Sequence, residues 1–537
     1  MTKVHETDFK ETAVDSSAIM DGDCESKVNV FHAEDLGLSD EEKRQNLVQA
    51  LRRWPKMSAY CLALTSAILL WGYDMAMSGS LAGLDQFKEA FGVYYQGEWI
   101  IASHWISLWD AAGPIGMLIG SLFGGWFQDK VGRKISLGTG SLSSCVGILI
   151  VWCAQYPTIG NTRNGIFMFG KIFQGVTCGI IVTTCQTYMS EVLPSVLRGP
   201  ILAFFPVFFM LGQLVSAVVV FGVEPIPGMR SYQLAVISQW PFSALPIILS
   251  FIIPESPVYY IRKGKLDLVR KSLQRLSTSH DSVDEQIVQL QKVIRHETEQ
   301  AAANARTSYL DCFRSTDLRR TLLAMFGACL PQLFGLSLVG QGSYFLQIGG
   351  MDSRPSMIFL MTGITAGIVG MIISIYSSTR FGRRKLIISS LIPIAVLWVV
   401  VGVCGTVENS ASVWVLGVCL NLIPLIAGLG VWPASYSVTA EVSALRLRAR
   451  TQGLAWAVGG AVNFVISFVI PFIFNPDQGD LRAQTGYIWV VITFLTAAGA
   501  FFFVPETFRR TPLQVDLMFE QKLPARGFKS WEGPRNF

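Results

Sequence analysis

The chain has 537 residues, 51% of them hydrophobic and 15% charged, with a formal net charge of +5 and a mean hydropathy of +0.43. Soluble domains carry about 25% charged residues, so this composition excludes a chain that faces water throughout. The small positive balance calls for no nucleic acid, because the anionic headgroups of an inner leaflet account for it.

In chain order, residues 1–57 are polar and read as a disordered cytoplasmic tail. They show no positively charged start followed by an apolar core and a small-residue cleavage site, so no cleavable signal is expected. Windows of about 20 apolar residues, enough to cross roughly 30 Å of hydrocarbon, then recur twelve times. They lie at 58–81, 99–126, 134–155, 165–190, 199–222, 232–254, 321–346, 356–378, 385–406, 413–440, 452–475 and 484–504. The fold class is an all-α membrane protein with 12 transmembrane helices. With the N-terminus placed inside, the outer loops hold only Lys88, Arg163, Arg230, Arg354 and Arg482. Nearly all the other cations fall on the inner side, which puts both termini in the cytoplasm. A six-helix bundle at 58–254 and another at 321–504 are joined by a cytoplasmic linker at 255–320, and 505–537 is a cytoplasmic tail. In the linker, Leu266, Val269, Leu273 and Leu276 form one stripe of an amphipathic helix. Gly116, Gly120 and Gly124 in the second span, and Gly175 and Gly179 in the fourth, are spaced for close helix contact. The cysteines lie mostly within spans and show no metal-ligand spacing, so neither disulfide nor metal is expected.

The two bundles repeat one another. Gly132-Arg133-Lys134 returns as Gly382-Arg383-Arg384, and Glu191 with Arg198 returns at the same offset as Glu441 with Arg448. Pro254-Glu255-Ser256 returns one residue later as Pro505-Glu506-Thr507 and closes each half. Internal repeats of this kind mark secondary transporters, whose solute site lies between the repeats. The repeated acids and arginines, with Asp129 and Arg450 beside them, are expected to form cytoplasmic gating pairs. These would fasten the two halves while the outer face is open and break when the inner face opens.

Ionisable residues inside spans are functional candidates by default. Asp74 in the first span and Lys171 in the fourth stand at comparable depth. Paired, the carboxylate stays ionised; with the lysine turned away in an apolar site, it takes up a proton. The pair therefore reads as a proton-coupling device, with a static ion pair between the two spans as the other reading. Asp110, in the second span, is suited to a solute hydroxyl, a cation or a neighbouring helix. His104 reads as an interface histidine.

GYD at 72–74, DKVGRK at 129–134, EVLPSVLRG at 191–199, PESP at 254–257 and PET at 505–507 resemble the sugar porter family of the major facilitator superfamily. LLWGYDMAMSGSLAGLDQF (69–87), GSYFLQIGG (342–350), EVSALRLRARTQGLA (441–455) and QKLPARGFKS (521–530) resemble fungal maltose and α-glucoside permeases within it. The resemblance implies the major facilitator fold, two bundles rocking about a central site, and uptake of a sugar with a proton. It implies no cofactor beyond the coupling ion H+, and that the Asp74 position carries the proton against an arginine where this chain has Lys171. A monomer in the lipid bilayer of the plasma membrane is the expected working unit, with a small-molecule solute as partner.

A sugar needs paired donors and acceptors, and Gln213, Gln332, Tyr344, Tyr436 and Asn463, with Asp110, are the candidate solute ligands. By resemblance, Gln213, Gln332 and Asn463 match polar positions of the family site, and Tyr436 a large aromatic. Pro206, Pro331 and Ser337 stand where hexose carriers have amides, and Thr379 where they have an acid. These departures turn the expectation from glucose toward a maltose-like α-glucoside, or toward a same-fold carrier of a non-sugar metabolite, including an exporter. A non-transporting nutrient sensor is disfavoured by the short tail after residue 504. No nucleophile–base set is present, so no enzyme is expected.

Overall fold

Among the described residues, twelve helices are long and apolar enough to cross a membrane. In the computed structural model, the described residues are 52–194, 197, 201, 204–276, 283–305, 309–407, 409–444, 447–508, 510 and 512–531. The polar tail before Arg52, and Arg198, lie outside them.

The N-half comprises α1 (Pro55–Ala82), α2 (Ser103–Val131), α3 (Arg133–Cys153), α4 (Gly160–Val192), α5 (Phe205–Val223) and α6, which runs as Arg230–Ile237 and Trp240–Ile252. The C-half comprises α7, in three segments (Ser315–Leu333, Leu336–Gly340, Gly342–Ile348), α8 (Ser353–Arg380), α9 (Arg383–Cys404), α10 (Ser410–Leu429 and Val431–Val442), α11 (Arg448–Phe474) and α12 (Thr485–Phe503). Proline starts α1, where its missing N–H costs nothing. The Asn409 side chain caps α10 by accepting from the Ala411 amide at 3.4 Å. Gly132, at φ 101°, makes the one-residue turn between α2 and α3.

Packing repeats as the sequence does. In the N-half α2 lies on α4, α3 on α6 and α1 on α5; in the C-half α8 lies on α10, α9 on α12 and α7 on α11. The halves meet where α2 packs on α11 and α5 on α8, which are again equivalent pairs. Large apolar side chains such as Leu118, Leu122 and Phe494 stay exposed on the outside, as hydrocarbon-facing positions require. Twelve crossings leave both chain ends on one side, here the terminal end; the opposite side is the far end.

The structure departs from the sequence reading in four places. A two-stranded hairpin, β1 (Val93–Tyr95) and β2 (Glu98–Ile100), interrupts the all-α architecture in the first far-end connection. Its turn, Gln96-Gly97, has both φ angles positive, the geometry two-residue hairpins favour. The second bundle begins at Ser315 rather than 321, because the helix continues through Arg319 and Arg320, whose charges are met by protein. Arg320 Nε donates to the Val442 carbonyl at 2.9 Å, and its guanidinium pairs with Asp516. In the linker helix Leu266–Leu276, Val269, Leu273 and Leu276 are buried, whereas Leu266 is exposed. The C-terminal segment packs instead of trailing: Val515, Met518, Phe519 and Phe528 are buried.

The α2–α4 seam is among the tightest backbone contacts. A Cβ on Gly120 would run into the Val176 carbonyl, and one on Gly124 would sit 2.9 Å from Ile180 Cα, whereas Gly125 faces open space. Gly120→Leu is therefore expected to cost about 3 kcal/mol or more by overpacking, and Gly125→Leu close to nothing. Size-exclusion melting curves of the two variants in detergent check this.

Candidate functional site

At the terminal end, each half builds the same charge network from the duplicated turn. Arg133 enters α3 with its side chain 2% exposed and bonds Glu191 at 2.8 Å and Asp129 at 3.0 Å. It also donates to the Gln128 carbonyl at 3.2 Å. Glu255 accepts from the Arg133 amide at 2.8 Å, the Lys134 amide at 3.1 Å and the Ser256 amide at 3.0 Å. Its carboxylate thereby satisfies orphan donors at the start of α3. Burial pushes the Glu255 carboxyl above its ordinary pKa, against the pull of those amides and of Arg133.

The C-half copies the arrangement. Arg383 bonds Glu441 at 2.9 Å and the Ser378 carbonyl at 3.3 Å, and its amide donates to Glu506 at 2.9 Å. Thr507 Oγ1 donates to the other Glu441 oxygen at 2.5 Å. The copy is looser: the Arg383 side chain is 21% exposed, and the sequence has Thr379 where the N-half has Asp129. Arg448 donates to the Ala440 carbonyl at 3.4 Å, and Arg450 lies 5.5 Å from the Tyr309 ring centroid. The sequence reading set these acid–arginine pairs between the halves. In the structure the Arg133 and Arg383 pairs each lie within one half, because the turn that presents each arginine sits against the end of α4 or α10 of its own bundle.

Deeper in the N-half, Lys171 Nζ donates to Asp74 Oδ1 at 2.6 Å and to the Asp74 carbonyl at 2.7 Å. Asp74 is 0% exposed and Lys171 3%, while Asp74 Oδ2 has no hydrogen-bond partner. The pair thus leaves one carboxylate oxygen buried and unbonded beside the lysine.

Of the proposed solute ligands, Gln332 and Asn463 are brought together. Ser337 Oγ donates to Gln332 Oε1 at 3.1 Å, Ser467 Oγ to Ser337 Oγ at 3.2 Å and to Asn463 Oδ1 at 3.3 Å. Ser467, absent from the sequence reading, completes this polar row across α7 and α11. Tyr436 accepts from Trp432 Nε1 at 3.1 Å and stacks on Trp456 with centroids 5.4 Å apart. Gln213 is half-buried on α5. His104 is exposed beside Trp105.

Tyr344 and Asp110 are placed otherwise than expected. Tyr344 is buried at the far end, where its hydroxyl donates to Asn475 Oδ1 at 2.9 Å and accepts from the Ile101 amide at 3.2 Å. Asp110 is taken by Gln341 Nε2. Polar bonds between the halves gather at this end. Asn475 Nδ2 donates to the Ile101 carbonyl at 2.9 Å, and the Ser103 amide to Asp477 Oδ2 at 2.9 Å. Lys88 Nζ donates to Gln347 Oε1 at 2.8 Å, and Gln347 Nε2 to the Gly83 carbonyl at 2.9 Å. This arrangement is closed at the far end. The sequence reading missed it, although the polar residues Gln341, Tyr344 and Gln347, three apart in an apolar window, were a legible signal.

A membrane-spanning pair of related bundles, with a buried charge pair in one and a polar, aromatic row between α7, α10 and α11 of the other, defines a transporter and not an enzyme. The chain belongs to the sugar (and other) transporter family, which matches residues 59–519. It is 28% identical over 466 residues to MFS transporter fmqE of Aspergillus fumigatus, covering 86% of this chain and 85% of that protein. It is 26% identical over 539 residues to the general alpha-glucoside permease of Saccharomyces cerevisiae, covering 98% and 86%. To maltose permease MAL61 of the same organism it is 25% identical over 512 residues, covering 93% and 81%. The inward open conformation of the xylose transporter XylE from E. coli shares the fold, with a TM-score of 0.69 at 16% identity over 86% of this chain and 99% of that one.

Removing one partner of a buried pair strands the other charge. Lys171→Met is expected to destabilise the protein by about 3–5 kcal/mol, and the double substitution Asp74→Asn with Lys171→Met to recover most of that loss. Thermal melting of the two variants beside the parent in lipid nanodiscs reads both outcomes.

Proposed function

We propose that this chain is a proton-coupled symporter that imports an α-glucoside of the maltose class by alternating access, with both termini cytoplasmic and the plasma membrane as its site. The observation that carries the reading is the Asp74–Lys171 pair: two opposite charges at 2.6 Å, sealed from water inside a membrane-spanning bundle. Such a pair is costly to keep in hydrocarbon, and proton relay is the use that repays the cost. The excess of Lys and Arg at the terminal end supports the orientation. The relatives named as alpha-glucoside permeases support the solute class.

Each step follows from the groups present. Solute held between α7 and α11 meets the Gln332–Ser337–Ser467–Asn463 row with its hydroxyls and the stacked Tyr436 and Trp456 rings with its C–H face. A proton on Asp74 weakens its hold on Lys171, freeing α1 to move against α4. Release of that proton at the terminal end restores the pair and resets the carrier.

A second reading, a carrier of a non-sugar metabolite that includes export among its directions, is favoured by one feature. The polar row is built from two serines and two amides, and the aromatic stack beside it suits a flat solute as well as a sugar ring.

Reconstituted vesicles with labelled maltose, glucose and non-sugar solutes, with and without an imposed pH gradient, decide between them. Maltose is expected to accumulate above the external concentration only when the outside is acid. Asp74→Asn is expected to abolish that accumulation and leave solute exchange running. Maltose flux indifferent to the gradient, or none at all beside flux of another solute, rejects the first reading.

A further inference from the structure

Three side chains of α7 reach across to the other half in a row. Gln341, at the N-cap of the last segment, and Tyr344 and Gln347 within it are three residues apart, and each bonds a group of the N-half. Gln347 bonds Lys88 and the Gly83 carbonyl, Tyr344 bonds the Ile101 amide, and Gln341 donates to Asp110. The last of these contacts lies deepest, since Asp110 is seven residues into α2, about 10 Å along it at 1.5 Å per residue. Gln341 is 6% exposed, and its Oε1 has no partner. The side chain is thus committed to Asp110 alone.

We infer that Asp110 is a positioning residue of the far-end gate: its carboxylate anchors Gln341, and with it the last segment of α7, against the N-half. It does not serve as a ligand of the solute. This deepens the alternating-access reading and rests on it. With the carboxylate ionised, the bond from the Gln341 amide is charge-assisted, as is that from Lys88 to Gln347, and both are stronger than the neutral bonds of Tyr344 between them. Swinging α7 away leaves the buried Gln341 amide without a partner and strips the half-buried Asp110 carboxylate of its bond, a costly way to lose a hydrogen bond. The charged group that acts on Asp110 is Lys171, across on α4, itself bonded to Asp74. From the other side, α11 packs on α2 and brings no ionisable residue between Thr451 and Phe474. The gate contact therefore sits within the field of the lysine that is bonded to Asp74.

The test reads the gate and not the solute. Spin labels are attached through a ketone-bearing amino acid at positions 99, on the β1–β2 hairpin, and 478, in the turn after α11. The full chain in nanodiscs is then examined by double electron–electron resonance. Asp110→Ala is expected to raise the ratio of the long to the short distance about tenfold, the scale of one lost bond to a charged group. Gln341→Ala is expected to do the same, and the double variant to add nothing further. Asp110→Asn keeps an acceptor for Gln341 and is expected to return the distribution close to that of the parent. If Asp110→Ala does not fold, Gln341→Ala carries the comparison. A parent-like distribution in the alanine variants, or additive effects in the double, overturns the inference while alternating access stands. A parent protein with a single distance that neither pH nor labelled maltose shifts overturns alternating access, and the gate with it.

Discussion

In hydrocarbon a backbone amide or carbonyl has no water to turn to, and the whole architecture answers that constraint. Unbroken helices answer it by themselves. Where a helix breaks, a side chain must step in. At the break after the first segment of α7, Gly335 takes φ 98° and Trp398 Nε1 donates to the Phe334 carbonyl at 2.9 Å. Trp398 stacks on Trp489 with centroids 5.7 Å apart, so α9 and α12 together brace the bend. Before the break of α6 at Ser238-Gln239, the Tyr73 hydroxyl donates to the Ala235 carbonyl at 3.3 Å, and the Gln239 side chain at the break accepts from Gln174 at 2.6 Å. These breaks are bought with buried polar contacts, and they supply the bends that let a helix change direction at its middle without exposing bare backbone to lipid.

The duplicated turn applies the same logic at the membrane surface. A helix that starts there has amides to satisfy, and the acid of the PES or PET motif reaches over from the end of the half to accept them. The arginine beside those amides is then oriented to bind the acid that ends α4 or α10. One punctuation mark thus ties three points of a bundle into a rigid body, and rigid bodies are what a rocking mechanism requires. Because the N-half copy carries Asp129 and the C-half copy Thr379, the first body is held by one more charge than the second.

Periodic and compositional features were legible in the residues, and contacts between distant segments were not. The twelve spans follow from apolar windows, and the related halves from Gly132-Arg133 and Gly382-Arg383. The closeness of Asp74 and Lys171 was readable because two opposite charges in neighbouring spans at one depth have few other partners. Charge also misled. Arg319 and Arg320 ended the hydropathy window early, although the helix runs back to Ser315, since Val442 and Asp516 neutralise Arg320. Tyr344 and Asp110 looked like solute ligands because a polar side chain in an apolar window gives no hint of which surface it meets. Their actual partners, Ile101, Asn475 and Gln341, lie far away in the chain or in connections such as FNPDQG that read as ordinary turns. The hairpin at Gln96-Gly97 was hidden by its length, since three-residue strands leave no alternation to detect.

The C-terminal segment carries a consequence of its own. Arg320 is buried between a carbonyl at the end of α10 and the Asp516 carboxylate, while Phe519 lies under both Arg319 and Arg320, 5.5 Å and 4.9 Å from their guanidinium carbons. The segment 512–531 is therefore a wedge in the base of the second bundle. A side chain buried in that wedge becomes accessible to other proteins only once the wedge has been prised out, so the integrity of the bundle governs what the segment presents.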